Sequence, residues 1–185
     1  MKTHTSPTST DRVARTPAAI GARTAACALL LGLALPGAGS AQAPPGPTVS
    51  WTVAASPTAA VKRGGRLLLT LRGEVLEGWH VYGLKQSPDG PTPLLVTLEP
   101  SDVATPDGPP IGSPPVKRHD PSFNLETQFY SAPFTVTVPV RIGPHVPAGA
   151  RVVPVSVRFQ TCNGQICQPP KTAHLSAAIT VAAEG

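Results

Sequence analysis

Two cysteines five positions apart, Cys162 and Cys167, are the residues of this chain best equipped for covalent chemistry. They lie in the run Thr161-Cys162-Asn163-Gly164-Gln165-Ile166-Cys167-Gln168-Pro169-Pro170-Lys171. Thiols so close in sequence can form a disulfide, exchange it with another thiol, or bind a soft metal. Asn163-Gly164 alone suggests a two-residue hairpin turn. In that register the cysteines are diagonal neighbours about 7–8 Å apart, which is long for a disulfide. A four-residue loop, 163–166, puts them directly opposite each other. Non-hydrogen-bonded neighbours on antiparallel strands sit about 4.5 Å apart, so this is the expected register.

The energetics bear on what such a bond is for. Closing a loop of about six residues restrains the unfolded chain by only roughly 2 kcal/mol, about half of what a bond between distant strands contributes. A short hairpin disulfide on an outward face favours exchange over stabilisation. A non-catalytic interaction module with an inert structural disulfide is the alternative. Copper or zinc held by both thiolates with His80 or His174 comes third. The one methionine is Met1, and no Cys-x-x-Cys motif or second ligand pair completes a tetrahedral site. No metal ligand and no cofactor are therefore assigned. No histidine or acid lies beside either sulfur in sequence; Lys171 is the nearest cation and Asn163 the nearest polar side chain.

The strands that must carry the pair read clearly in places. Phe134, Val136, Val138 and Val140 alternate with Thr135, Thr137 and Pro139. Val153, Val155, Val157 and Phe159 alternate with Pro154, Ser156, Arg158 and Gln160. With a period of two the Val/Phe sets face a core, so Cys162 falls in phase with Arg158 and Gln160, on the outward and reachable side. The 24 prolines and 17 glycines oppose long helices, since proline inside one costs about 3 kcal/mol. Strands are expected at 49–55, 66–75, 79–84, 94–98, 134–142, 152–162 and 172–181. Seven such runs with no helical pattern between them predict an all-β, immunoglobulin-like sandwich. Residues 86–121 hold ten prolines and read as loop apart from the strand at 94–98, with turns at Pro88-Asp89-Gly90 and Pro106-Asp107-Gly108.

The N-terminus reads as an export signal. Lys2, Arg12, Arg15 and Arg23 precede an apolar run from Ala25 to Leu35, followed by Pro36 and the small residues up to Ala43. The run is too short to span a bilayer, and its flanks match a cleavable secretory signal peptide over residues 1–41, leaving a domain at 42–185. Without an Arg-Arg pair a twin-arginine signal is not supported. Cys27 precedes most of the apolar run and leaves with the signal. Four of the 15 Lys and Arg and one of the 10 Asp and Glu lie in residues 1–41, so 11 against 9 remain, a net charge of only +2. No basic stripe interleaved with aromatics appears, and nucleic acid is not an expected partner.

Three segments together carry a resemblance. Gly78-Trp79-His80-Val81-Tyr82-Gly83-Leu84, the run from Phe123 and Glu126 to Phe129-Tyr130, and above all Cys162-(x)4-Cys167-x-Pro169-Pro170-Lys171 resemble the N-terminal periplasmic domain of DsbD, a transmembrane thiol–disulfide reductase. The resemblance covers roughly residues 47–182. It implies an immunoglobulin-like fold in the periplasm and a thiol–disulfide oxidoreductase function for Cys162 and Cys167, with Cys167 as the attacking thiol. It also implies a flexible cap loop whose aromatic shields the pair: Phe123 first, Phe129 second. Tyr82 matches a tyrosine beside the family's active site, whereas His80 occupies a position where the family varies and reads as ordinary packing. The electron donor would be a separate thioredoxin-like protein or a membrane thiol carrier. The acceptor would be an oxidised periplasmic disulfide isomerase or a thioredoxin-like protein of cytochrome maturation.

Overall fold

The computed structural model describes residues 46–183; the expected signal peptide at 1–41 and the first residues of the domain lie outside them. No helix occurs among the described residues. Twelve strands run in chain order: β1 (Val49–Ser56), β2 (Arg66–Val75), β3 (His80–Tyr82), β4 (Leu95–Leu98), β5 (Ala104–Pro106), β6 (Ile111–Gly112), β7 (Val116–Asp120), β8 (Leu125–Tyr130), β9 (Phe134–Ile142), β10 (Gly149–Phe159), β11 (Thr161–Cys162) and β12 (Lys171–Val181). The strand pairing is antiparallel throughout the three sheets. One has the order β1-β2-β9-β5, with β6 also on β9; the second is β12-β10-β4; the third is β11-β3-β8-β7.

The two alternating segments behave as their pattern requires. Phe134, Val136, Val138 and Val140 on β9, and Val153, Val155, Val157 and Phe159 on β10, are all buried. The β2–β9 register sets Leu69 against Val138 and Leu71 against Val136, so the apolar faces of both strands coincide. These residues join Ala177, Ile179 and Val181 of β12 in one continuous core. Gly73 is required by a close approach, because a Cβ there would lie 2.7 Å from the ring of its register partner Phe134.

Three expectations need correction. Residues 86–121, read as loop around one strand, contain β4 to β7. Their prolines sit at strand ends and between short ladders, where the missing N–H does little harm. Strand β8 was not anticipated, because Glu126, Thr127 and Gln128 mask its pattern. The strand expected at 152–162 begins at Gly149 and breaks at Gln160, after which β11 enters a different sheet. The Gln160 carbonyl accepts the N–H of Tyr82 (3.2 Å), and its side-chain Oε1 accepts the N–H of Thr92 (2.8 Å). Those bonds fasten the crossing point between the sheets.

Candidate active site

The third sheet separates two environments. Thr161, Val81 and Tyr130 lie on one face; Val81 and Tyr130 enter the main core, and the Thr161 hydroxyl bonds that of Thr48 (3.0 Å). Cys162, His80, Tyr82 and Phe129 lie on the other. Register pairs Cys162 with His80 and Tyr82 with Phe129, and directly opposed residues share a face. Strand β7 extends this face, since Val116 opposes Phe129 and Arg118 and Asp120 follow at period two.

The hairpin after β11 adopts the four-residue loop. Asn163 N–H donates to the Ile166 carbonyl (3.2 Å) and Gln168 N–H to the Thr161 carbonyl (2.9 Å), leaving Cys162 and Cys167 as the non-hydrogen-bonded pair between them. Asn163 Oδ1 accepts the N–H groups of Gln165 (3.0 Å) and Ile166 (2.8 Å), an Asx turn that organises the loop. Gly164 follows with φ of 85°, a left-handed conformation that glycine adopts without strain. Cys162 and Cys167 form a disulfide, with Cα atoms 4.0 Å apart.

The expectation that Cys162 is reachable is wrong. Its side points away from the main core, as the alternation requires, but it has 0% exposure. It lies in a second, smaller apolar cluster with Tyr82 and Phe129, against which Phe123 and Cys167 are packed half-buried. Period two determines which face a side chain takes; whether a loop covers that face depends on the rest of the fold.

The covering turn joins β7 to β8. Asp120 Oδ1 accepts the Ser122 N–H (2.8 Å), the Asp120 carbonyl accepts the Phe123 N–H (3.3 Å), and Asn124 takes φ of 53°. This turn lays Phe123 edge-on against Tyr82, with ring centroids 5.7 Å apart, and brings the Ser122 hydroxyl to 3.9 Å from Cys162 Sγ. Phe129, the second cap candidate, is on strand β8 and not on the turn; it is buried beneath His80 (4.8 Å) with the Arg118 guanidinium 5.1 Å above its ring. Tyr82 is wholly buried. Its hydroxyl donates to Asp120 Oδ2 (2.7 Å) and lies 3.8 Å from Cys167 Sγ.

Several site residues were invisible in sequence. Asp120 and Ser122 become neighbours of the sulfurs only through folding, although Asp-Pro-Ser is recognisable as a turn. Arg118 is the cation brought to this face, whereas Lys171 is exposed at the start of β12. His80 is 9% exposed, its ring packed against Tyr82 (5.0 Å) and Phe129 (4.8 Å) on the face that carries Cys162. Burial lowers its pKa, with Arg118 adding to the effect and Asp120 opposing it. His174 pairs with Glu99 (2.5 Å), and no group of three metal-ligating side chains assembles among the described residues.

Burial raises the pKa of Tyr82, and the bond to Asp120 adds to it; burial also raises that of Tyr130. These are the only two tyrosines in the chain. Absorbance at the tyrosinate band should therefore stay low at a pH of about 10, where free tyrosine is half ionised. An upward shift stabilises the fold below the free-tyrosine pKa and is lost as pH rises past it, so unfolding in strong alkali should release both phenols together. A normal titration of the Tyr82 phenol, read alone in Tyr130→Phe, would contradict the buried Tyr82–Asp120 bond.

The family model for the N-terminal domain of the thiol:disulfide interchange protein DsbD matches residues 52–178, more than half of the chain. Among solved structures, the N-terminal periplasmic domain of ScsB from Proteus mirabilis is similar at 18% identity and a TM-score of 0.44, over 69% of this chain and 44% of that one. A family 123 glycoside hydrolase from Clostridium perfringens is similar at 7% identity and a TM-score of 0.33, over 66% of this chain and 22% of that one. The chain thus spans less than half the length of either. No curated protein matches it. The family match takes in both cysteines and every residue that encloses them, and the chain belongs to the family of DsbD N-terminal domains, whose disulfide-bearing fold supports thiol–disulfide exchange.

Proposed function

We propose that the protein is an exported thiol–disulfide relay of the periplasm, passing two electrons at a time through Cys162 and Cys167. The observation that carries this reading is the asymmetry of the pair. Cys162 is sealed, while Cys167 is partly exposed at the rim beside a turn that carries Phe123. The accessible sulfur meets partners and the sealed one resolves. In the reduced protein the Cys167 thiolate attacks a partner's disulfide, forming a mixed disulfide and releasing one partner thiolate. Cys162 then attacks Cys167 Sγ, restores the internal bond and expels the second thiolate. The donor is a thioredoxin-like protein or membrane thiol carrier. The acceptor is an oxidised periplasmic disulfide isomerase or a cytochrome-maturation thioredoxin-like protein. The segment at 1–41 acts as the cleaved signal that delivers the domain. No helix among the described residues is long and apolar enough to cross a membrane.

Equilibrium with a glutathione redox buffer tests the reading. A midpoint near about −200 mV is expected of an exchanging pair, whereas one far below about −300 mV would mark an inert staple and end the proposal.

Phe123 serves as the cap. It is half-buried and packs chiefly on Tyr82, so Phe123→Ala removes an edge-to-face contact of about 0.5–1.5 kcal/mol and leaves the Asp120 turn bonds in place. Reduction of the disulfide by a small thiol should accelerate by up to about tenfold. Unchanged reactivity would reduce Phe123 to ordinary packing.

A further inference from the structure

His80 offers an unused acceptor beside the cysteine that resolves the exchange. The β11–β3 register sets it directly opposite Cys162, and such pairs hold their Cβ atoms about 4.5–5.5 Å apart on one face. Its ring is fixed edge-on to Tyr82 and tilted against Phe129. Nε2 is fully buried and bonds to nothing, although buried polar atoms are nearly always paired. In the oxidised protein Cys162 Sγ carries no hydrogen, because it is bonded to Cys167. Opening that bond creates an S–H at the register position opposite the imidazole, on the same face of the sheet. The unfilled acceptor is thus complementary to the reduced state.

We propose that His80 takes the proton from the Cys162 thiol in the step that re-forms the disulfide, an inference that rests on the relay reading above. The proton passes from Cys162 Sγ to His80 Nε2. The resulting thiolate attacks Cys167 Sγ in the mixed disulfide, the Cys162–Cys167 bond forms, and the bond from Cys167 to the partner breaks. The partner's sulfur leaves as thiolate with the electron pair, and the imidazolium then releases its proton to solvent. His80 also lines a crevice of about 310 Å³ with Arg118, Asn163 and Gly164, which gives that proton an exit.

The charges around the ring are suited to this task. Strand β7 presents Arg118 and Asp120, β3 presents the un-ionised Tyr82 phenol, β8 presents the uncharged Thr127 and Phe129, and the hairpin presents the two sulfurs and Asn163. Burial, and to a smaller degree Arg118, lower the proton affinity of the imidazole and so favour its neutral form, while Asp120 acts in the opposite sense and steadies the imidazolium once it forms. With its proton on Nδ1, the neutral ring offers the Nε2 lone pair as base.

Single-turnover reaction of the reduced protein with one equivalent of 4,4′-dithiodipyridine separates the steps. The first thiopyridone reports attack by one cysteine and the second reports resolution by the other. In His80→Phe, which keeps an aromatic ring in place, the second release should slow about a hundredfold while the first is unchanged. The inflection of the second rate, set below the ordinary histidine pKa in the wild type, should vanish. His80→Gln should be equally slow, because an amide accepts a hydrogen bond but not the proton; it also carries the test if His80→Phe does not fold. A second release with wild-type rate and pH profile in the folded variants would overturn the role of His80 and leave the relay standing. Failure of the wild type to release any thiopyridone would remove the relay reading, and this inference with it.

Discussion

Cys167→Ser should abolish reduction of an oxidised thioredoxin-like partner, whereas Cys162→Ser should capture that partner covalently. The expectation follows from the unequal exposure of the two sulfurs. Cys167, partly exposed and 3.8 Å from the Tyr82 hydroxyl, is the sulfur at which a partner can form the first bond. A serine hydroxyl there stays protonated and does not displace a thiolate from a disulfide. Cys162, with no exposed surface, reaches only Cys167. Serine in its place leaves the first step intact and removes the second, so a one-to-one mixed disulfide should accumulate on a non-reducing gel and dissolve on adding dithiothreitol. Each variant also lacks the internal bond, worth roughly 2 kcal/mol for so short a loop. Thermal unfolding should therefore show both variants folded and similarly weakened. Residual partner reduction by Cys167→Ser, or trapping by that variant in place of Cys162→Ser, would reverse the assigned order.

The largest effect on stability should come from Phe134→Ala. Phe134 is 3% exposed, stacks on Tyr130 with centroids 4.0 Å apart and meets Trp51 edge-on at 5.6 Å. Truncating a buried phenylalanine costs about 3–5 kcal/mol through lost transfer energy and the cavity left behind. The cavity should collapse poorly here, because Gly73 already lies against the ring with no side chain of its own to move in. Tyr130 connects this core to the site, since it occupies β8 next to Phe129 and turns to the opposite face of the same sheet. The denaturant midpoint should fall with little change in the slope of the transition. Chemistry in the folded fraction should survive, because no atom of Phe134 belongs to the cluster around the cysteines. A loss below about 1 kcal/mol would mean that the ring contributes far less than its burial implies.

The fold class, most of the long strands and the register of the cysteine hairpin follow from local features. The alternation in 134–140 and 153–159 needs only the two-residue period of an extended chain and the preference of Val and Phe for the dry side. The five-position spacing of the two cysteines favours the one hairpin register that sets the sulfurs directly opposite each other. Local pattern failed in the proline-rich middle, where β5, β6 and β7 hold two to five residues each. Strands that short are stabilised by the neighbour they pair with, and that neighbour lies elsewhere in the chain.

The environment of the sulfurs, by contrast, is set by long-range packing. Cys162 keeps its side of the strand, yet the turn after Asp120, some forty residues earlier, folds over it and seals it. Strand pairing likewise brings His80 on β3, and Arg118 and Asp120 on β7, to a disulfide that has no histidine or acid near it in sequence. The physical reason is one of range. Backbone sterics and side-chain period act over a few residues and fix which way a side chain points. Burial, proton affinity and reactivity depend on every group packed within several ångströms, and in a β-sandwich those groups come from strands far apart along the chain.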